Sequence, residues 1–182
     1  MQSYFKFVSS SLFFGMVSFA SADDLPVYKV GLWQSEVKSA NMPSQSTKMC
    51  LDEATQKEMP GMGENVMKQQ GASCTKNEIK KSGSGYSLNT DCNFNGINMK
   101  TTGTISGDFN SSITMTMTTV MNPPMMGMDK SVTTVTSKYL GACPAGMNPG
   151  DIEYGNGMKM NISQMKDMMK NLGNLKKGGA TN

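Results

Sequence analysis

The sequence contains no histidine and no arginine, and these two absences exclude several classes of function. Without an imidazole there is no Ser-His-Asp triad, no histidine general base and no histidine ligand for zinc. Without a guanidinium the chain lacks the bidentate clamp that proteins use on phosphates and on base edges. We therefore expect no nucleic-acid partner, no enzymatic activity and no cofactor, with copper as the alternative considered below.

Long apolar runs are also lacking, except at the N-terminus. Lys6 precedes an apolar run over residues 7–19, and Ala20-Ser21-Ala22 then forms a small-x-small cleavage pattern. The run is shorter than the roughly 18 residues that a membrane span needs. Residues 1–22 are therefore predicted to be a signal peptide that is cleaved after Ala22, and the mature protein is predicted to be periplasmic or secreted.

Cysteine is scarce, but its number is informative. All four cysteines follow the predicted cleavage point, and no two of them have Cys-x-x-Cys spacing. An even count in an exported chain favours two disulfides, whereas a zinc site would lack both the spacing and a histidine. The pattern therefore predicts two disulfides and no free thiol.

Residues 23–143 have the pattern of a mainly β domain. A Gly-rich turn, Ser82-Gly83-Ser84-Gly85, separates two runs of a hairpin, and residues 97–105 and 113–117 alternate between apolar and polar positions. Strands are predicted over residues 27–38, 45–51, 74–81, 86–92, 97–105, 113–117 and 131–140. Residues 52–70 are polar and are expected to hold one or two helical turns. The fold class is predicted to be an antiparallel meander sheet or a partly closed barrel.

Strand direction gives a pairing for the cysteines. If the third to seventh strands alternate in direction, Cys74 and Cys92 lie at the same end of the sheet, and Cys143 lies at the opposite end. A strand of eight residues spans roughly 26 Å, which is far beyond the ~7 Å between Cα atoms that a disulfide allows. We therefore predict the disulfides Cys74–Cys92 and Cys50–Cys143.

The C-terminal part of the chain differs in composition from the β domain. Residues 144–157 are rich in Gly, Pro and Asn and are predicted to be a linker, and residues 158–182 form a Met- and Lys-rich tail. Its apolar positions have a helical period over residues 162–175, which predicts a short amphipathic helix. The tail carries five lysines and one acid, so it is a candidate for peripheral contact with anionic surfaces; the alternative is a solvated helix face.

Methionine is the most distinctive residue type that is present, with 20 in the whole chain. Met99, Met115 and Met117 fit the inward face of strands, so core packing explains them. The remaining clusters are predicted binding residues in exposed loops and in the tail: Met59, Met62, Met121, Met125, Met126, Met128, Met165, Met168 and Met169.

Three interpretations of these methionines compete. They are loosely packed filler, or an apolar surface that binds an unknown protein, peptide or lipid, or a soft-metal site. The first functional hypothesis is an exported, non-enzymatic binding or interaction domain. The alternative is a periplasmic protein that binds Cu(I) or Ag(I) through Met125, Met126 and Met128.

The order of short motifs resembles one family, the exported bacterial proteins grouped as DUF3617, over residues 28–143. The motifs are Gly31-Leu32-Trp33-Gln34, Asn41-Met42-Pro43, Lys48-Met49-Cys50-Leu51, Cys74, Ser82-Gly83, Cys92, Gly107-Asp108-Phe109 and Leu140-Gly141-Ala142-Cys143. Val30 stands where relatives have proline, and the Met-rich tail looks like an extension. The resemblance implies export and a small β domain, and it implies no activity.

Overall fold

The structure is a computed structural model that describes residues 25–40 and 42–168, without the side chains of residues 62–64. The predicted signal peptide lies outside the described residues. Nine strands and two helices occur in this part of the chain. They are β1 Gly31–Ser39, β2 Met42–Leu51, α1 Glu53–Gln69, β3 Ala72–Ser82, β4 Gly85–Phe94, β5 Ile97–Asp108, β6 Ser112–Met125, β7 Met128–Gly141, β8 Asp151–Tyr154, β9 Lys159–Asn161 and α2, residues 162–168.

The nine strands form one antiparallel sheet in the order β3-β4-β5-β6-β7-β1-β2-β8-β9. Strands β3 to β7 are a meander, and the β1–β2 hairpin continues the sheet because β1 pairs with β7. The sheet is not closed into a barrel, and β3 and β9 are its two edges. The prediction of a mainly β, antiparallel fold with a short C-terminal helix is confirmed. Of the two predicted forms, the structure has the open sheet and not the partly closed barrel.

Three of the meander turns contain only two residues each. Gly83-Ser84 joins β3 to β4, Asn95-Gly96 joins β4 to β5, and Met126-Gly127 joins β6 to β7. Asn95 and Gly96 have φ angles of 50° and 87°, and Met126 and Gly127 have 51° and 78°. Two successive residues with positive φ match the right-handed twist of the flanking strands, so these turns fix the register of the hairpins.

The Met-rich Pro-Pro segment is not the loop that the sequence predicted. Strand β6 runs through Pro123 and Pro124 to Met125, and β7 begins at Met128, so only the two-residue turn is outside the strands. The β6–β7 ladder is irregular between Val120 and Met125. Proline cannot donate to a ladder, and an interrupted stretch of pairing is where a strand tolerates it.

Residues 52–70 form a long helix rather than one or two turns. Asp52 is the N-cap of α1, and its side chain accepts a hydrogen bond of 2.7 Å from the Thr55 backbone N–H. Gly71 follows the helix with φ 88° and allows the chain to leave in a left-handed conformation. Pro60 lies inside the helix, so the Met-Pro-Gly-Met motif is helical despite its turn-like composition.

The segment predicted to be a linker contains β8, which pairs with β2 on one side and β9 on the other. The Gly150 backbone N–H donates to the Cys50 carbonyl at 2.8 Å, and the Ile162 N–H donates to the Gly150 carbonyl at 2.9 Å. Ile162 is buried, and Lys166 Nζ lies 3.5 Å from Glu58 Oε2 of α1. The start of the tail is therefore docked on the domain, and the predicted helical residues 169–175 lie outside the described residues.

A hydrophobic core cluster lies at one end of the sheet. Trp33, Leu51 and Ile113 are buried there, and four partly buried residues pack against them: Tyr28, Met49, Phe109 and Tyr139. The Trp33 ring meets Tyr28 and Tyr139 edge-to-face, with centroid distances of 5.5 and 5.6 Å. Such aromatic contacts add to the burial energy of the rings and hold the N-terminal segment against β1.

Both predicted disulfide pairings are present in the structure. Cys74 and Cys92 are directly opposite each other on β3 and β4, with their Cα atoms 3.9 Å apart. Cys50, at the end of β2, is joined to Cys143, just after β7, with a Cα distance of 5.6 Å. The second disulfide spans the two neighbours of β1 and so fastens the N-terminal hairpin to the end of the meander.

Candidate functional site

The two faces of the sheet differ in exposure. Along β5, Ile97, Met99 and Thr101 are half-buried, whereas Asn98 and Lys100, the residues between them, are exposed. Helix α1 covers part of the less exposed face, because its last turn lines a cavity together with residues on that face of β4 and β5. We call this the helix-bearing face.

A cavity of about 260 Å³ lies between the end of α1 and the helix-bearing face. It is at the end of the meander opposite the aromatic core, as the strand register shows. Its lining comes from α1 and the C-cap that follows it and from β3, β4, β5 and β6. The residues are Met67, Gln70, Ala72, Thr90, Cys92, Phe94, Met99, Thr101 and Met125. Because three of the nine are methionines, we call it the methionine cavity.

Strand pairing fixes the sheet wall of the methionine cavity. Cys92 on β4 is directly opposite Met99 on β5, and Met99 is directly opposite Met121 on β6, so all three point to the same face. The Cys74–Cys92 disulfide ties the edge strand β3 to this wall. Met121 is only 4 % exposed and lies next to Met99 on this face, but it is not part of the cavity lining.

All nine lining residues are uncharged, and only three of them carry a polar side-chain group. Those three are Gln70, Thr90 and Thr101. The Thr101 hydroxyl is 2.8 Å from the Thr119 hydroxyl of β6, so it already has one hydrogen-bonding partner. The cavity can therefore accept apolar groups, and it offers a few neutral hydrogen bonds and no counter-charge.

The carboxyl groups with perturbed pKa values have structural roles away from this cavity. Hydrogen bonds hold the pKa of five of them below its ordinary value, and the five are Glu36, Asp52, Glu78, Asp108 and Asp151. At Asp108, for example, the Asn110 backbone N–H is the first cause and the Ser111 hydroxyl the second. A lowered pKa keeps these groups ionised at neutral pH, which suits turns and caps rather than proton transfer.

The structure separates the methionines that the sequence grouped as one loop cluster. Met121 is buried, so the prediction that it is exposed is wrong: its strand position turns it to the helix-bearing face. Met125 lines the methionine cavity, and Met128 is opposite it in the ladder and half-buried. Met126 is 90 % exposed at the turn and is outside the cavity lining.

The remaining predicted methionines are not brought to this cavity. Met59 lies in α1 and is partly exposed, and Met165 and Met168 in α2 are half-buried and exposed, respectively. The side chain of Met62 and the whole of Met169 lie outside the described residues. Their proposed binding roles stay predictions.

Two of the three cavity methionines were absent from the predicted binding set. The alternation of β5 assigns Met99 to the core, and Met67 is outside the predicted binding set. The position of Met99 could have been found from the sequence. Pairing the two strands across the Asn95-Gly96 turn places Met99 directly opposite Cys92. No local signal reveals Met67, because its position depends on how α1 lies across the sheet.

A second cavity, of about 370 Å³, lies near the start of α1. Its lining includes Glu53 and Lys57 and the chain segment 25–27. Glu53 and Lys57 place charged groups in this lining, which contains no methionine, whereas every residue that lines the methionine cavity is uncharged. We therefore take the methionine cavity as the candidate site.

Within residues 25–40 and 42–168, no helix is long and apolar enough to cross a bilayer. In the same part of the chain, no three or more Cys, Asp or Glu residues are grouped so that they could hold a metal ion. The two disulfides fit a secreted or periplasmic protein.

Of the comparisons with known proteins, only the one with protein families gives a match. No curated protein and no solved structure matches this chain. The family described as "Protein of unknown function (DUF3617)" matches residues 28–143, which is more than half of the chain and contains β1 to β7, α1 and all four cysteines. The chain therefore belongs to the DUF3617 family.

Proposed function

We propose that this protein is an exported, non-enzymatic binding domain that holds a small, neutral, apolar molecule in the methionine cavity. The observation that carries the proposal is the lining: nine uncharged residues, three of them methionines, around about 260 Å³. Thioether side chains are flexible and polarizable, so they adapt to ligands of different outline. Export, to the periplasm or beyond, is part of the proposal and is supported by the two disulfides and the N-terminal sequence pattern.

The size and polarity of the cavity define the ligand class. Drug-sized ligands occupy cavities of roughly 300–1,000 Å³, so this cavity suits one short alkyl chain or one or two small rings. A carboxylate or ammonium group inside it would have no charged partner among the lining residues, and burying an unpaired charge is costly. Gln70 and Thr90 instead suit a neutral head group such as an alcohol, amide or ester.

The proposal is tested by fluorescence titration of the oxidised protein with N-phenyl-1-naphthylamine, a neutral apolar probe, followed by displacement with decanol or decanoate. We expect saturable 1:1 binding of the probe, and we expect decanol to displace it at a lower concentration than decanoate because the cavity has no counter-charge. Met67→Gln at the partly exposed rim and Met99→Gln in the wall should each weaken probe binding about tenfold, since about 1.4 kcal/mol is lost for each factor of ten.

Met126→Gln is the matched control, because it makes the same change at a residue that is 90 % exposed and outside the lining. Far-UV circular dichroism and the thermal midpoint verify that each variant is folded. The proposal is wrong if the wild-type protein shows no saturable binding, or if Met126→Gln weakens it as much as the two cavity variants do.

A protein, peptide or lipid partner at the exposed methionines and at the lysine-rich tail remains a separate proposal. Exposed Met126, Met158 and Met168 support an apolar contact, but most of the lysine-rich tail lies outside the described residues. If the control variant Met126→Gln impairs capture of a partner while leaving the probe titration unchanged, the two functions are distinct.

A further inference from the structure

We propose that the methionine cavity is also a binding site for a soft monovalent cation, Cu(I) or Ag(I), with Met67, Met99 and Met125 as the ligands. These three methionines come from α1, β5 and the end of β6, and they line one cavity of about 260 Å³. This set replaces Met125, Met126 and Met128, the set that sequence proximity suggested. Met126 is 90 % exposed at the turn and is not part of the lining.

The chemistry of the lining selects a soft ion. Thioether sulfur is a neutral, polarizable donor that suits Cu(I), whereas Mg²⁺ and Ca²⁺ need several oxygen ligands and a compensating negative charge. No carboxylate lines the cavity, and Cys92 is held in a disulfide and supplies no thiolate. With neutral ligands only, the complex keeps the full charge of the ion, so a monovalent ion is less costly to bury than Zn²⁺ or Cu²⁺.

Because the three side chains line one cavity and are flexible, we expect their sulfur atoms to be able to converge on one ion. A methionine side chain has three rotatable bonds and adapts to irregular gaps. Met67 is 42 % exposed on the last turns of α1, so it has room to swing inward and is also the entry point for the ion. Met99 and Met125 supply the ligands on the sheet side.

This inference is independent of the neutral apolar ligand, although both use the same cavity. An ion held by the three sulfur atoms and an apolar molecule of the cavity's size would compete for the same volume. We therefore expect Ag(I) to displace N-phenyl-1-naphthylamine from the wild-type protein with a 1:1 end point.

The experiment uses Ag(I), because a reductant that keeps copper as Cu(I) would endanger the two disulfides. The full mature chain, produced with its disulfides intact and with methyl-¹³C-labelled methionine, is titrated with silver nitrate in chloride-free buffer. Native mass spectrometry gives the stoichiometry, and the methyl resonances in ¹H–¹³C spectra give the ligands. We expect one Ag(I) per chain, with the resonances of Met67, Met99 and Met125 shifted ahead of the other methionines.

Leucine substitutions separate metal binding from apolar binding. Met67→Leu, Met99→Leu and Met125→Leu keep the apolar lining and remove the sulfur, so each should weaken Ag(I) binding at least tenfold and by a larger factor than it changes probe binding. Met126→Leu is the matched control outside the lining and should bind Ag(I) as the wild type does.

The metal proposal is overturned if no stoichiometric Ag(I) binding occurs, or if the triple leucine variant binds Ag(I) as tightly as the wild type. It is also overturned if Met126→Leu loses as much affinity as the lining variants. The titration of the wild-type protein with the neutral probe tests the proposed function separately. A protein that binds the probe but not Ag(I) would contradict the metal site alone.

Discussion

The indole of Trp33 joins β1 to the chain segment that precedes it. Its ring is 2 % exposed, and its Nε1–H donates a 2.7 Å hydrogen bond to the Lys29 carbonyl. The same segment is held from the other side by Gln56 of α1, whose side-chain amide exchanges hydrogen bonds of 2.7 and 2.9 Å with the Tyr28 backbone. One residue thus links strand, N-terminal segment and aromatic core.

Replacing Trp33 with phenylalanine should reduce the free energy of unfolding by about 2 kcal/mol, because it leaves a gap in the core and removes the hydrogen bond to Lys29. Urea denaturation followed by far-UV circular dichroism measures this, since the variant lacks the only tryptophan of the chain. Leu140→Ala, at a residue that is 49 % exposed, serves as the control and should change stability by less than about 0.5 kcal/mol. A Trp33→Phe effect no larger than that of the control would contradict this role.

At the scale of elements, α1 has the weaker intrinsic propensity of the two helices that the described residues contain. Pro60, Gly61 and Gly63 lie within it, and proline and glycine are the two poorest helix formers. Its N-cap at Asp52 and its position over the helix-bearing face therefore stabilise it more than its own sequence does. Because α1 supplies Met67 and its C-cap residue Gln70 also lines the methionine cavity, opening of this helix should also open the cavity.

Gly61→Ala should stabilise α1 by about 0.5–1 kcal/mol, because alanine is the better helix former and a Cβ at this position would meet no atom within 4 Å. Hydrogen exchange should show roughly two- to fivefold greater protection of the α1 amides. Gly83→Ala is the matched control: a Cβ there also meets nothing, but φ is +59° in the hairpin turn. We expect that control to destabilise the β3–β4 hairpin by about 1 kcal/mol. Equal stabilisation by both substitutions would refute the argument from helix propensity.

At the scale of the whole molecule, the two disulfides constrain the chain to different degrees. Cys50 and Cys143 are separated by 93 residues and close a loop that contains α1 and β3 to β7, whereas Cys74 and Cys92 are separated by 18 residues and close one hairpin. A cross-link that closes a longer loop removes more entropy from the unfolded chain.

The variant Cys50→Ala/Cys143→Ala should therefore lose about 4.5 kcal/mol of stability, against about 3 kcal/mol for Cys74→Ala/Cys92→Ala. Guanidinium unfolding curves of the two double variants and of the wild type measure the difference. If Cys74→Ala/Cys92→Ala lost more stability than Cys50→Ala/Cys143→Ala, strain or cavity formation at Cys92, rather than loop closure, would dominate the loss of stability. In that case the Cys74→Ala/Cys92→Ala variant would also lose affinity for the neutral probe, since Cys92 lines the cavity.

Local signals in the sequence determined strands β1 to β7, most of the turns between them and the disulfide pairing. Alternation of side chains and short Gly-containing turns are properties of neighbouring residues, so the meander could be predicted from them. Strand parity then placed Cys74 and Cys92 together, and the family motifs at Gly31 and Trp33 coincide with the buried start of β1.

Only the tertiary structure decided where the methionines lie. Turn-like composition around Pro60 and Pro123 concealed a helix and a strand, because packing against the sheet outweighs local propensity there. Pairing of β8 with β2 turned a predicted linker into part of the sheet. The methionine cavity unites Met67 with Met99 and Met125, residues that are 32 and 58 positions away in the chain, and such contacts depend on how α1 crosses the sheet. Sequence therefore specified the sheet, and the placement of one helix on it created the candidate site.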